Sequence, residues 1–292
     1  MKMDADMMLN EKLKKIDDVI MKKKMIMDGH PVIPFTPAEK MIAYECVYNL
    51  CTRKHRDSCS LVYEKYTNCL SERIQERVLP VLMDKHGTEL LTEITRLWLE
   101  YKKFASFLSK TFADLDNFYI RRKRHPSHAD SMRYYFCNLV CDELFSKLQE
   151  AMMRLIIQER EGEQIDRNLL KKVLDFFLEA GGNGTSNYYE KLEQIMLAEA
   201  AAYYSQLSLE LEWWFWSDSF SNYLRKVDRC LNQEEARAEL YPSQTTKTKL
   251  LDVMKYVLLE RNAKKWAQKQ NAEGMEAEDR ELLSKYASLK LE

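Results

Sequence analysis

The sequence predicts an all-α protein, and three observations carry that expectation. The 292 residues include only 7 Gly and 6 Pro. Leu, Lys, Glu, Ala and Met, all strong helix formers, fill the positions where strand proteins place turn residues and β-branched runs. Apolar residues recur at helical spacing almost without interruption, broken only by short Gly or Pro punctuation. Such a pattern is expected of an elongated stack of helices rather than of one compact enzyme domain.

The helices follow in order. The first runs from about Met7 to Lys24, with Leu9, Leu13, Ile16 and Ile20 on one face. Asp28-Gly29-His30-Pro31 and Pro34 end it, and Thr36 caps the next helix, with Pro37 at its first position and Glu39 at its third. That helix, Pro37 to Thr52, carries Met41, Tyr44, Val47, Tyr48 and Cys51. A third, from about Ser60 to Asp84, is expected to kink at Pro80. Another starts after Gly87 and continues through Trp98, Leu108 and Leu115 to Tyr119, with a break expected near Lys102-Lys103. Arg121-Arg122-Lys123-Arg124-His125-Pro126 closes that stretch, where cations favour the negative helix end and Pro stops it. A long helix from about Ser131 to Glu161 has Gly162 placed as its carboxy-terminal cap, and Asp166 caps the helix from Arg167 to Ala180. Gly181-Gly182-Asn183-Gly184 reads as a turn. Tyr188 to Phe215, Tyr223 to Glu239, Thr246 to Lys269 and Glu278 to Lys290 complete the set.

Lys and Arg number 45 against 46 Asp and Glu, so the net charge is −1 and nothing draws polyanions over long range. Nucleic acid is not expected as a partner. Met1 to Asp6 lack the apolar core of a signal peptide, and about eighteen consecutive apolar residues occur nowhere. A cytoplasmic or nuclear location without membrane insertion is expected. Cys46, Cys51, Cys69, Cys137 and Cys141 lie within apolar helical patterns, as reduced thiols acting as small hydrophobes would, and no disulfides are expected.

Chemistry finds no foothold. There is no Cys-x2-Cys pair, no His-Glu-x-x-His and no EF-hand loop, and His125 and His128 lack a matching Cys or acidic partner, so no metal is expected. The glycine turn at 181–184 has neither a preceding strand nor a following Lys-Ser/Thr, so no nucleotide or other cofactor is expected. No nucleophile elbow occurs, and the chain is expected not to be an enzyme. Trp213-Trp214-Phe215-Trp216 is unusual, because consecutive residues on a helix point about 100° apart and four rings cannot all enter one core. Acidic flanks at Glu210, Glu212 and Asp218 disfavour a membrane surface and favour packing or a partner contact.

Several separated stretches, in one order, resemble the cullin family. Gln158-Glu159-Arg160-Glu161-Gly162-Glu163-Gln164-Ile165-Asp166-Arg167, followed by Leu169-Leu170-Lys171-Lys172-Val173-Leu174, is similar to the second-repeat signature of cullins, particularly the plant cullin that serves Skp-type adaptors and F-box proteins. Met41 through Thr52 resembles the adaptor-facing second helix, and Trp98 through Leu108-Ser109 to Leu115-Asp116 and Arg122 the fifth. Tyr203-Tyr204-Ser205 and Tyr223-Leu224-Arg225-Lys226 resemble later second-repeat helices. The resemblance implies an all-α, elongated stack of cullin repeats, each a five-helix bundle. One repeat is expected over residues 1–125, a second over 126–240 and a fragment of a third over 241–292.

It also implies a scaffold for ubiquitin-ligase assembly that binds a Skp-type adaptor with its F-box protein, or competes with a full-length cullin. The strand that recruits a RING-box protein and the lysine that accepts a Nedd-type modifier have no counterpart here, so a truncated protein with no RING-box partner is expected. The adaptor-binding residues implied are Lys40, Met41, Ala43, Tyr44, Val47, Tyr48, Phe107, Leu108, Thr111 and Asp114. Some of Tyr44, Val47, Leu108 and Phe112 must instead be core, since an amphipathic helix buries such a stripe against its neighbours. The family has aromatic residues where Lys40 and Asp114 stand. Aromatic anchors are worth about 2 kcal/mol or more each, so weakened adaptor binding is implied, and the two opposite charges are expected to pair. Trp213 and Trp216 fall where the family has small or polar residues, which makes them candidates for an additional contact surface, for dimerisation in particular. The alternative is a helical interaction module, or a decayed paralogue, with no adaptor binding.

Overall fold

A computed structural model describes residues 2–52, 56–181, 188–217 and 220–261, with Ala277, Arg280, Glu281 and Ser284 beyond them. Every element among the described residues is helical. The first five helices are α1 (Lys2–Met27), α2 (Pro37–Thr52), α3 (Arg56–Arg73), α4 (Leu79–Met83) and α5 (Gly87–Thr111). Two short helices, α6 (Ala113–Leu115) and α7 (Arg121–Lys123), precede α8 (His128–Phe136), α9 (Asp142–Arg160) and α10 (Arg167–Gly181). The series ends with α11 (Tyr188–Ser217), α12 (Phe220–Ala238) and α13 (Gln244–Lys255). The expected helix from Glu278 to Lys290, and the end of the one expected to reach Lys269, lie outside the described residues apart from isolated positions.

Local chemistry sets the helix ends. Gly162, at φ +93°, lets Glu163 N–H donate to the Gln158 carbonyl at 2.9 Å and Gly162 N–H to Glu159 at 3.1 Å, the paired bonds of a Schellman ending. Asp166 accepts from Leu169 N–H at 3.0 Å, as the sequence predicts. The long helix before Gly162 starts earlier than expected, at His128, because Ser127 Oγ accepts from Asp130 N–H at 3.1 Å.

Wider, π-type turns interrupt the helices at Ile74–Val78, Asp116–Ile120, Cys137–Cys141 and Tyr256–Glu260. The first has a visible cause. The Pro80 ring would strike the carbonyl four residues back, and the turn just before it widens so that Leu79 N–H donates to Ile74. The break expected at Lys102-Lys103 does not occur; α5 runs on to Thr111 and ends at Phe112. Its buried stripe of Trp98, Tyr101, Phe104, Ala105 and Leu108 is unbroken, Glu179 accepts from both Lys102 Nζ and Trp98 Nε1, and Lys103 faces outward as an exposed side chain.

The chain divides into two compact units. The first comprises residues 1–164 and 179–187, with Tyr66, Tyr101, Phe104, Phe112 and Phe136 fully buried at its centre. The second comprises residues 165–178 and 188–292, centred on Phe176, Phe177, Tyr188 and Tyr204. Six cysteines are buried as free thiols, and only Cys230 is partly exposed.

His128 is buried in the first unit, edge-on to Tyr66 at 4.6 Å, with Asp116 Oδ1 3.9 Å from its Nε2. Burial lowers its pKa below 6.5, and Asp116 only partly opposes this. As pH falls through about 6.5 the unfolded chain takes up a proton that the folded chain refuses, so stability should drop by at most about 1.4 kcal/mol per pH unit. Urea titrations at pH 7 and pH 5 should show this loss, and His128→Phe should reduce it; an unchanged difference in the variant would remove His128 as the cause.

Candidate functional site

The first unit presents one face where exposed apolar side chains, aromatic rings and lysines gather around α2. Its foundation is the connection between α1 and α2. Gly29, at φ +76°, allows His30 N–H to donate to Met25 at 3.0 Å and closes α1. Asp28 then accepts from Arg73 Nη1 at 2.8 Å and Arg77 Nε at 3.1 Å, tying the connection to α3 and the turn after it.

Thr36 and Glu39 form the expected capping box. Glu39 N–H donates to Thr36 Oγ1 at 3.2 Å, and Thr36 N–H to Glu39 Oε2 at 2.8 Å. Lys22 adds a bond to Glu39 at 2.6 Å, and this, followed by the Thr36 amide, holds the carboxyl at about 2. The residue before such a cap usually packs against the fourth helical residue, which here is Lys40. With no apolar partner there, Phe35 stacks on Phe107 of α5 instead, with centroids 5.6 Å apart and planes at 26°. Lys22 lies 5.1 Å over the Phe35 ring and Lys23 5.5 Å over Phe107.

On α2, Lys40, Tyr44 and Tyr48 follow one another at four-residue spacing on the outer side, while Ala43 and Val47 are wholly buried. Met41 is 52% exposed, Tyr48 45% and Ile42 43%. Tyr48 packs edge-on to Phe118 at 6.4 Å. Of the expected contact residues on α5, Phe107 is half-buried, whereas Leu108 and Thr111 are buried, and the Thr111 hydroxyl donates to the Phe107 carbonyl at 3.1 Å. Ala43, Val47, Leu108 and Thr111 therefore build the platform, and Lys40, Met41, Tyr44, Tyr48 and Phe107 lie on it. Phe35, Phe118, Lys23 and Lys103 belong to the same face and are additions to the residues read from the sequence.

The expected Lys40–Asp114 ion pair does not form. Asp114 is only 8% exposed, and its Oδ2 has no hydrogen-bond partner. It sits against Tyr44, whose pKa is raised by hydrogen bonding to the Asp114 carboxylate and then by its charge. Lys40, one turn earlier on α2, is exposed. The side chains of Trp213 and Trp216 lie outside the described residues, although the backbone there belongs to α11.

A shallow depression lined by His86, Gly87, Leu90, Lys147, Glu150 and Arg154 spends its charges internally, with Arg154 on Glu150 at 3.0 Å and Lys147 near the Met83 carbonyl at 3.4 Å. Among the described residues no group of His, Cys, Asp and Glu could hold a metal ion, and no helix is long and apolar enough to cross a membrane.

Comparison with known proteins gives these observations a context. A family model described as the Cullin alpha solenoid domain matches residues 26–291. Cullin-2 of Arabidopsis thaliana is 36% identical over 227 residues, covering 77% of this chain and 30% of the relative. Cullin-1 of Oryza sativa subsp. japonica is 35% identical over 254 residues, covering 87% and 34%. Cullin-like protein 3 of Arabidopsis thaliana is 31% identical over 228 residues, covering 78% and 87%. The matched region thus spans 30–34% of the length of the two relatives called cullins.

Proposed function

The chain belongs to the cullin family, and from that premise we propose that it is a non-catalytic scaffold whose α2 face receives a Skp-type adaptor carrying an F-box protein, within ubiquitin-ligase assembly in the cytosol or nucleus. The cullin repeats of this reading run over residues 1–125 and 126–240, with a fragment of a third over 241–292. One observation carries it most directly. Met41 and Tyr48 lie exposed on a helix whose start is fixed by the Thr36–Glu39 capping box and whose underside is fully packed. A rigid, partly apolar surface of this kind binds without a large ordering cost.

Tyr44, Tyr48 and Phe107 supply the rings that dominate interface energies, with Met41 as the adaptable apolar contact. Lys40 stands in this surface as a charge among rings. Asp114 acts from below by orienting Tyr44 rather than by touching the partner.

Calorimetric titration with a plant Skp-type adaptor bound to an F-box protein tests the assignment. Tyr48→Ala should weaken binding by about 2 kcal/mol, roughly thirtyfold, whereas Leu209→Ala, an exposed leucine of the second unit, should change nothing. Absence of adaptor binding by the wild-type chain at micromolar concentration, or an unaffected Tyr48→Ala variant, would count against it.

A further inference from the structure

The α2 face carries positive charge that its own fold leaves uncompensated. Lys22 is matched by Glu39 and Lys102 by Glu179. Lys23, Lys40 and Lys103 take part in no ion pair among the described residues, and Lys40 and Lys103 are exposed. They gather around one corner: Lys103 stands one turn before Phe107 on α5, and the Lys22–Glu39 bond at 2.6 Å ties the turn of α1 that carries Lys23 to the start of α2, where Lys40 follows Glu39. Burial chiefly, and then the charges of Lys40 and Lys103, lower the Lys23 pKa. The Lys23 ammonium is anchored over the Phe107 ring.

Glu39, beside Lys40 on α2, is already bound by Lys22 and by the Thr36 amide and hydroxyl. Like charges gathered without a counter-ion repel one another in the free chain, so the arrangement gains from an anion brought in from outside. Met41 and Ile42, both exposed, follow Lys40 directly on α2. A group that fits must therefore bring carboxylates and apolar side chains together. A nucleic-acid backbone offers charge without the apolar cover, and the chain as a whole carries a net charge of −1.

We propose that Lys23, Lys40 and Lys103 form a basic corner that docks an acidic segment of the bound adaptor, a run of Asp or Glu flanked by apolar residues that cover Met41. This rests on the adaptor-binding reading and deepens it, since position 40 then exchanges a ring for a charge that selects the partner. Charge pairing of this kind acts mainly on partner choice and association rate, and it is screened by salt.

The test compares the intact wild-type chain with Lys40→Glu/Lys103→Glu and with Tyr48→Ala, titrated with a plant Skp-type adaptor–F-box complex at low and high salt. The wild type should lose about tenfold in affinity across that range. The double variant should be about tenfold weaker at low salt and nearly indifferent to salt. Tyr48→Ala should be weaker at both salts yet keep the wild-type salt response. A double variant with wild-type affinity and salt response overturns the basic corner and leaves adaptor binding standing.

A second arm separates the two ideas when the wild type binds no adaptor. A glutamate-rich peptide, its glutamine counterpart and a single-stranded oligonucleotide of equal charge serve as probes. Selective binding of the glutamate peptide, lost in Lys40→Glu/Lys103→Glu, retains an acidic protein segment as the ligand and discards only the adaptor. Equal binding of the oligonucleotide, or of the peptide by both chains, overturns the proposal.

Discussion

Replacing Glu234 with alanine is expected to destabilise the second unit by about 3–5 kcal/mol, because it breaks a buried ionic cluster from one side. The Glu234 side chain is wholly buried; its Oε2 accepts from Tyr204 Oη at 2.6 Å and from Arg237 Nη1 at 2.8 Å. Alanine removes the acceptor that the buried Tyr204 phenol and the largely buried Arg237 guanidinium share, and leaves a cavity in its place. Glu234→Gln, which keeps the shape and one acceptor oxygen, should lose less. Replacing Tyr204, Glu234 and Arg237 together with apolar residues of similar volume should recover much of the loss, since the cost lies in stranding charges rather than in lacking them. Urea denaturation followed by amide hydrogen exchange would measure the size and place of the effect. Undiminished protection along α11 and α12 in the alanine variant would show that the cluster does not hold them together.

Asp28→Ala is expected to act on both stability and binding. Arg73 is only 7% exposed, and its guanidinium lies 5.7 Å over the Phe104 ring with Asp28 as its counter-ion. Losing that carboxylate should cost about 3 kcal/mol, an effect thermal denaturation can read. The connection that Asp28 anchors also carries Phe35 against Phe107 and leads into the Thr36 cap. Adaptor affinity should therefore fall as well. Asp28→Asn should keep more of both. Retained affinity in the alanine variant would mean that the α1–α2 connection does not position the face.

Much of the helical framework was legible because its signals are local. The Thr36–Glu39 box, the Asp166 cap and the Gly162 ending each depend on residues within five positions, and each forms as its spacing implies. Pro80 disturbs its helix where a missing N–H and a bulky ring require it to. The choice of outer face on α2 was harder to read. Apolar residues surround that helix, with Ala43 and Val47 on one side and Met41, Tyr44 and Tyr48 on the other, so periodicity alone favours no direction. The packing partners settle it.

Where the structure departs from the sequence pattern, distant packing is again the cause. Lys102-Lys103 reads as a break in the helix, yet Glu179, distant in sequence, supplies Lys102 with a counter-charge. Lys40 and Asp114 looked like a pair because their signs are opposite, yet Tyr44 lies against the carboxylate and the ammonium joins other lysines. Phe35 gave a faint signal as the residue ahead of a cap. Its partner across the bundle could not be inferred, because the position that should have held it carries Lys40.

The wide turns at Ile74–Val78, Asp116–Ile120, Cys137–Cys141 and Tyr256–Glu260 each accommodate one residue beyond what the regular spiral requires. Losing a single residue at Cys137–Cys141, between α8 and α9, would let the spiral close up while the stripes on either side stay in phase, whereas a loss elsewhere in a long helix would rotate everything downstream by about 100°. Among the described residues such turns are expansion joints, where length can drift without disturbing the surfaces on display.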